Sequence, residues 1–150
     1  MNISLKIKSI SSSETYPIRH EVLRVGRPIE SCKFDGDEQT ETIHFGAFEN
    51  NKLVGVISCY LTNGCHFYTG KNYQIRGVAI QGHLQQKGYG KALMLHAENV
   101  LRQINCNTIW LNARTNANQF YTKLDYTEIG AAFEVPLIGK HQCFFKKINL

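Results

Sequence analysis

The run Gln85, Gln86, Lys87, Gly88, Tyr89, Gly90, Lys91, Ala92, Leu93 constrains this chain more than any other part of it. It follows a β-prone stretch over residues 73–81 and leads into a one-faced pattern of Leu93, Ala97, Val100, Leu101 and Ile104. The spacing therefore predicts a strand, a tight turn and an amphipathic helix in direct succession. Gly88 and Gly90 let the backbone turn sharply and leave successive N–H groups uncovered by side chains. At a helix N-terminus those amides lack acceptors, and the helix dipole adds to their attraction for an anion. Lys87 and Lys91 place positive charge on either side. The run is not a P-loop, which needs Gly, four residues, then Gly-Lys-Ser/Thr. Nor is it a dinucleotide fingerprint, whose third glycine would stand where Leu93 is. Taken alone, these residues fit a pyrophosphate seat and a plain helix start equally well.

A chain of 150 residues, 43% hydrophobic and 19% charged, is sized for a single domain over 1–150 with its own core. No apolar run reaches the ~20 residues that span a bilayer. The N-terminus alternates like a strand instead of forming a signal-peptide core, so a soluble, cytoplasmic protein without a membrane partner is expected. The five cysteines, Cys32, Cys59, Cys65, Cys106 and Cys143, are scattered and never form Cys-x-x-Cys, which points away from a disulfide framework or a zinc site. The six histidines are equally dispersed, and no metal site is expected. The net charge of +5 is spread along the chain instead of concentrated in one basic segment. That disfavours nucleic acid as a partner and suits a polyanionic small ligand steered by a basic field.

The remaining pattern reads as a first strand over residues 3–10 and a helix from about Ser13 to Val25, with Pro17 in its first turn. A polar, irregular stretch at 29–41 turns at Asp35, Gly36 and Asp37. Strands at 42–48 and 53–61 form a hairpin across Glu49, Asn50, Asn51 and Lys52. After the 88–104 helix come a strand at 108–112, a short helix at 116–124 with Ala117, Phe120 and Leu124 on its buried face, and strands at 127–135 and 142–148. Three successive strands before the central helix predict an antiparallel region joined to a βαβ unit, hence a mixed α/β sheet with helices packed on its faces. Gly77 inside the fourth strand marks either a bulge that exposes the backbone of residues 78–80 to a ligand or a bend in the core.

These residues resemble the Gcn5-related N-acetyltransferase (GNAT) superfamily. Its motif Gln/Arg-x-x-Gly-x-Gly/Ala is matched by Gln85, Gly88 and Gly90, preceded by Val78, Ala79 and Ile80. The family's usual proline in this loop is absent, and Gly82 stands near its place. A second block, from Asn112 through Asn116, Phe120, Tyr121, Lys123 and Leu124 to Tyr126, is similar to the family's Phe-Tyr-x-Lys-Leu-Gly-Phe helix, with Asp125 in place of the glycine. The resemblance covers nearly the whole chain, and the C-terminal part is similar to a small ElaA-like bacterial branch. It implies a GNAT-like fold with a mostly antiparallel sheet and a strand splayed at the cofactor cleft. It further implies acetyl transfer from acetyl-CoA to an amine by direct attack. By the same resemblance, the amides of residues 88–92, with Gln85, Gln86 and Lys87, hold the CoA pyrophosphate. Val78, Ala79 and Ile80 pair with the pantetheine arm like an added strand, and Asn112 and Asn116 face that arm.

Direct attack needs an acid for the departing thiolate, and Tyr121 occupies the family position. The base is open: Gln74 and Arg76 stand on the strand where many relatives carry a glutamate, leaving Glu21, His44, Glu134 and His141 as candidates. Arg19, Glu21 and Arg24 either line the acceptor cleft or face solvent. The acceptor side is expected at the first helix, residues 29–41 and the loop 62–72, with 31–40 exchangeable as a specificity element. A non-catalytic acyl-CoA-binding module is the alternative function, and a homodimer is compatible with the sequence.

Overall fold

The computed structural model describes residues 5–64 and 66–149; the N-terminal end of the expected first strand and Cys65 lie outside them. The chain forms two compact units, Met1–Tyr60 with Ile75–Asn99, and Leu61–Gln74 with Val100–Leu150. The elements are β1 (Leu5–Ile10), α1 (Ser12–Leu23), β2 (Ile43–Glu49), β3 (Lys52–Leu61), β4 (Asn72–Ile80), α2 (Tyr89–Gln103), β5 (Thr108–Arg114), α3 (Asn118–Lys123), β6 (Thr127–Val135) and β7 (Gly139–Lys147). They build one seven-stranded sheet in the order β1-β2-β3-β4-β5-β7-β6. The β4–β5 pair is parallel, while β1–β2, β2–β3, β5–β7 and β6–β7 are antiparallel.

In the first unit, α1 begins on a reciprocal cap. The Glu14 amide donates to Ser11 Oγ at 3.3 Å and the Ser11 amide to Glu14 Oε1 at 2.9 Å. Pro17 sits in the second turn, one turn later than the sequence suggests. The carbonyl it leaves without a helical donor belongs to exposed Ser13, where water can satisfy it. Asn50 and Asn51 take φ of 50° and 68°, the left-handed pair that closes a two-residue hairpin between Glu49 and Lys52. Helices cover both faces of these strands. Ile18 of α1 packs with Val56 and Ala79. On the opposite face a Cβ on Gly55 would lie 2.5 Å from Ile80 and 3.3 Å from Leu93 of α2. Leu93 and Ala97 are fully buried, as the helical stripe predicts.

In the second unit, β4 pairs with β5 through Asn72–Thr108, Tyr73–Ile109 and Gln74–Trp110. Trp110 Nε1 donates to the Thr62 carbonyl at 2.8 Å. The β6–β7 register shifts between Ile129 and Phe133, where Gln142 Nε2 donates to the Ile129 and Gly130 carbonyls at 3.1 and 3.0 Å. The short helix expected at 116–124 is a 3₁₀ turn, Thr115–Ala117, followed by α3. Ala117 and Phe120 are only half-buried there, and Leu124 alone of the three is buried.

Candidate active site

Within the first unit, residues 78–92 run from the end of β4 through the turn after it to the start of α2. Val78 is half-buried, and Ala79 and Ile80 are buried. Gly77 takes φ +65°, the left-handed conformation that a bulge places on glycine, so β4 kinks immediately before Val78. The Gln81 amide donates to the Val54 carbonyl at 2.9 Å, and a 3₁₀ turn over Gly82–Leu84 tucks Leu84 into the core. Gln85 does not reach outward: its Nε2 donates back to the Ile80 carbonyl at 3.0 Å and fixes the shape of the loop. Gln86 at φ 63° and Gly88 at φ 88° then reverse the chain into α2.

The Ala92 amide bonds the Gly88 carbonyl at 3.0 Å, as the first turn of α2 requires. The amides of Gly88, Tyr89, Gly90 and Lys91 precede it and have no acceptor within the helix. A Cβ at Gly88 would meet nothing within 4 Å, so the backbone of Gly88 is uncrowded on that side. Lys87 and Lys91 are exposed beside it. Tyr89 turns the other way: its ring is buried and its hydroxyl donates to Glu49 Oε1 at 3.2 Å, leaving only its backbone for a ligand. Donor amides, an uncrowded glycine and flanking lysines suit a diphosphate.

The second unit carries Asn112, Asn116 and Tyr121. Leu111 and Ala113 point inward on β5, so Asn112 between them is exposed; Asn116 is exposed in the 3₁₀ turn. Tyr121 packs edge-on against Phe120 at 4.9 Å and Tyr126 at 6.1 Å, and lies tilted against Phe144 at 6.1 Å, between ring centroids. Its hydroxyl makes no hydrogen bond among the described residues. Burial pushes its phenol up to about 12, so it is a proton donor throughout the neutral range.

The candidate bases separate. His44 is buried with both ring nitrogens engaged: Nε2 lies 2.9 Å from the Asp37 carbonyl and Nδ1 2.6 Å from Ser58 Oγ. It is a structural residue. His141 Nδ1 donates to the Gly139 carbonyl at 2.8 Å, and its ring stacks on Phe133. Glu134 is exposed, and Glu21 is exposed with its Oε1 accepting from Gln81 Nε2 at 3.3 Å. Among the described residues no group of three or more His, Cys, Asp or Glu is arranged to hold a metal ion.

A buried ionic network was not foreseen. Arg19 neither lines a cleft nor faces solvent; it is fully buried. Its Nη1 donates to Asp37 Oδ2 at 2.7 Å and to the Cys32 carbonyl at 2.8 Å. Its Nη2 reaches Asp37 Oδ1 at 3.1 Å, Ser58 Oγ at 2.8 Å and Tyr60 Oη at 3.1 Å. The Tyr60 hydroxyl donates to Asp37 Oδ1 at 2.5 Å. Burial alone would push the Asp37 carboxyl up, but hydrogen bonds from Arg19, Tyr60 and the Phe34 amide, with the Arg19 charge, hold it below its ordinary value. A signal existed in the sequence: Thr15, Ile18, Arg19 and Val22 share one helix face at i, i+3, i+4, i+7, which directs Arg19 inward. Phe34 and Asp37, both within residues 31–40, are tied to this network.

Residues 9–126 match the model of the Acetyltransferase (GNAT) family. The chain belongs to that family. It is similar to the uncharacterised N-acetyltransferase YitI of Bacillus subtilis (strain 168), with 34% identity over 146 residues and 97% of each chain covered. Among solved structures, NAA60 of Arabidopsis thaliana in complex with acetyl-CoA superposes with a TM-score of 0.77 at 12% identity, covering 97% of this chain and 99% of that one. ElaA of Escherichia coli gives a TM-score of 0.75 at 16% identity, covering 95% and 99%. Both likenesses establish the mixed α/β acyltransferase fold. The chain is accordingly an N-acetyltransferase, and acetyl-CoA is the acyl donor of its family.

Proposed function

We propose that this protein transfers the acetyl group of acetyl-CoA to the amine of a small molecule or peptide by direct attack, acting in the cytoplasm as one catalytic domain over 1–150. The observation that carries the donor assignment is the passage of β4 through a tight turn into α2, whose first four amides have no helical acceptor and begin at an uncrowded Gly88. The diphosphate then rests on the backbone of residues 88–92 beside Lys87 and Lys91, with Gln85 and Gln86 shaping the loop. The backbone of Val78, Ala79 and Ile80 pairs with the pantetheine arm, and Asn112 and Asn116 contribute polar contacts to it. In the reaction the amine nitrogen bonds the acetyl carbon, the carbon–sulfur bond breaks, the amine gives up a proton, and Tyr121 supplies one to the thiolate. The acceptor side lies with α1 and the 33–40 loop, where a pocket of about 460 Å³ is lined by Tyr16, Phe34, Asp35, Asp37 and Glu38. Placement in an ElaA-like branch belongs to this proposal too.

Titration calorimetry with acetyl-CoA tests the donor seat. Wild type is expected to bind, and Gly90→Val, which puts a branched side chain beside the anion, is expected to weaken binding by about tenfold or more. Unchanged affinity in the variant would remove residues 88–92 from the donor site.

A further inference from the structure

The Phe34 ring lies where four features of the first unit converge. The Arg19 guanidinium stands 3.9 Å above its centroid, and those of Arg76 and Arg24 stand at 5.0 and 5.2 Å. Arg76 is at the same time 5.4 Å from the Tyr60 ring, so it joins the ring of Phe34 to the buried network. The fourth feature is Gly77: a Cβ built there would come 3.1 Å from Phe34 Cε2 and 3.5 Å from Arg19 Nε. Gly77 is the kinked position of β4, and Val78 follows it. Arg19 Nε is buried with no hydrogen-bond partner among the described residues, so on that edge the guanidinium depends on the ring face it covers. Asp37 holds Phe34 from the other direction, because Asp37 Oδ2 accepts the Phe34 amide at 2.8 Å while bonding Arg19.

We propose that Phe34 is a positioning residue for the donor strand. Its ring, held by Arg19 and Arg76 and anchored through Asp37, seats against the bare backbone of Gly77 and sets the kink that presents residues 78–80 to the pantetheine arm. The same ring lines the acceptor-side pocket, so one side chain fixes the pocket wall and the donor strand together. This rests on the reading that residues 78–80 carry the arm. A ring that served packing alone would tolerate an apolar replacement of similar bulk. A ring that works through its π-face would require another aromatic, since guanidinium groups are attracted to the negative face of the ring.

The test compares wild type, Phe34→Leu and Phe34→Tyr in the full chain, by acetyl-CoA titration calorimetry and by hydrogen exchange at the amides of residues 75–80, well below each variant's melting temperature. Phe34→Leu is expected to bind acetyl-CoA about tenfold more weakly, the scale of one desolvated cation–ring contact, and to exchange faster at 76–80. Phe34→Tyr is expected to restore both readouts. Equal affinity and exchange in wild type and Phe34→Leu would overturn the proposal while leaving the donor site intact. Failure of wild type to bind acetyl-CoA at all would overturn the donor reading and this proposal with it. Should Phe34→Leu not fold, Arg76→Met removes one cation from the ring and leaves Phe34 in place; weakened binding supports the proposal, and wild-type binding and exchange contradict it.

Discussion

Gly77 shows how a single missing side chain can serve backbone conformation and packing together. Its φ of +65° disfavours any L side chain, and a Cβ there would come 3.1 Å from the Phe34 ring, close enough that the ring must shift. Gly26 separates the two effects, because it has φ +75° and a Cβ placed on it would meet nothing within 4 Å. Gly26→Ala should cost only the left-handed penalty, about 1–2 kcal/mol. Gly77→Ala should cost more, since Phe34 must also move. Urea melts of the two variants measure the difference, and equal costs would mean that Phe34 does not press on β4. Glycine inside a β-prone run pointed to a kink without naming its neighbour. Phe34 lies 43 positions away in a polar loop, and no local pattern connects the two.

At the scale of elements, periodicity was a good guide where one face of an element meets the core. The stripe from Leu93 to Leu101, the two-asparagine hairpin and the strand–turn–helix around Gly88 all form as their spacing requires. Spacing directs Arg19 inward but says nothing of the partners, distant in sequence, that make its burial tolerable. The Arg19–Asp37 pair joins α1 to a loop that reads as solvent-exposed, and Ser58, Tyr60 and His44 complete it from β2 and β3. Removing one partner of such a pair typically costs about 3–5 kcal/mol, because the other charge is left buried. The folded protein holds the Asp37 carboxyl below its ordinary value of 3.8, so the contribution is present above that pH and is lost as pH falls through the lowered value. Melting curves from pH 7 to pH 3 should show wild type well above Asp37→Asn at neutral pH, with the gap closing below about pH 4. A gap independent of pH would mean that Asp37 is not ionised in the native state.

For the whole molecule, two blocks at the correct separation identified a family whose model matches residues 9–126, and a relative covering 97% of the chain agrees. The turn into α2 was legible because backbone geometry favours glycine at position 88, which takes φ +88°. The pocket at residues 33–40 was not, because the places of its loop residues are set by a buried network whose partners are distant in sequence. The central claim is amine-dependent acetyl transfer with Tyr121 as the acid. It is tested most directly by release of free thiol from acetyl-CoA across a panel of amines and peptides, using wild type and Tyr121→Phe from pH 6 to 10. Wild type should release thiol with at least one acceptor, yielding a product heavier by one acetyl group. With the Tyr121 phenol pushed up to about 12, its rate should not fall as pH approaches 10 through loss of that proton. Tyr121→Phe should bind acetyl-CoA normally and turn over about 10²–10⁴-fold more slowly. Acetyl-CoA binding without thiol release across the panel, or unchanged turnover in Tyr121→Phe, would contradict the account.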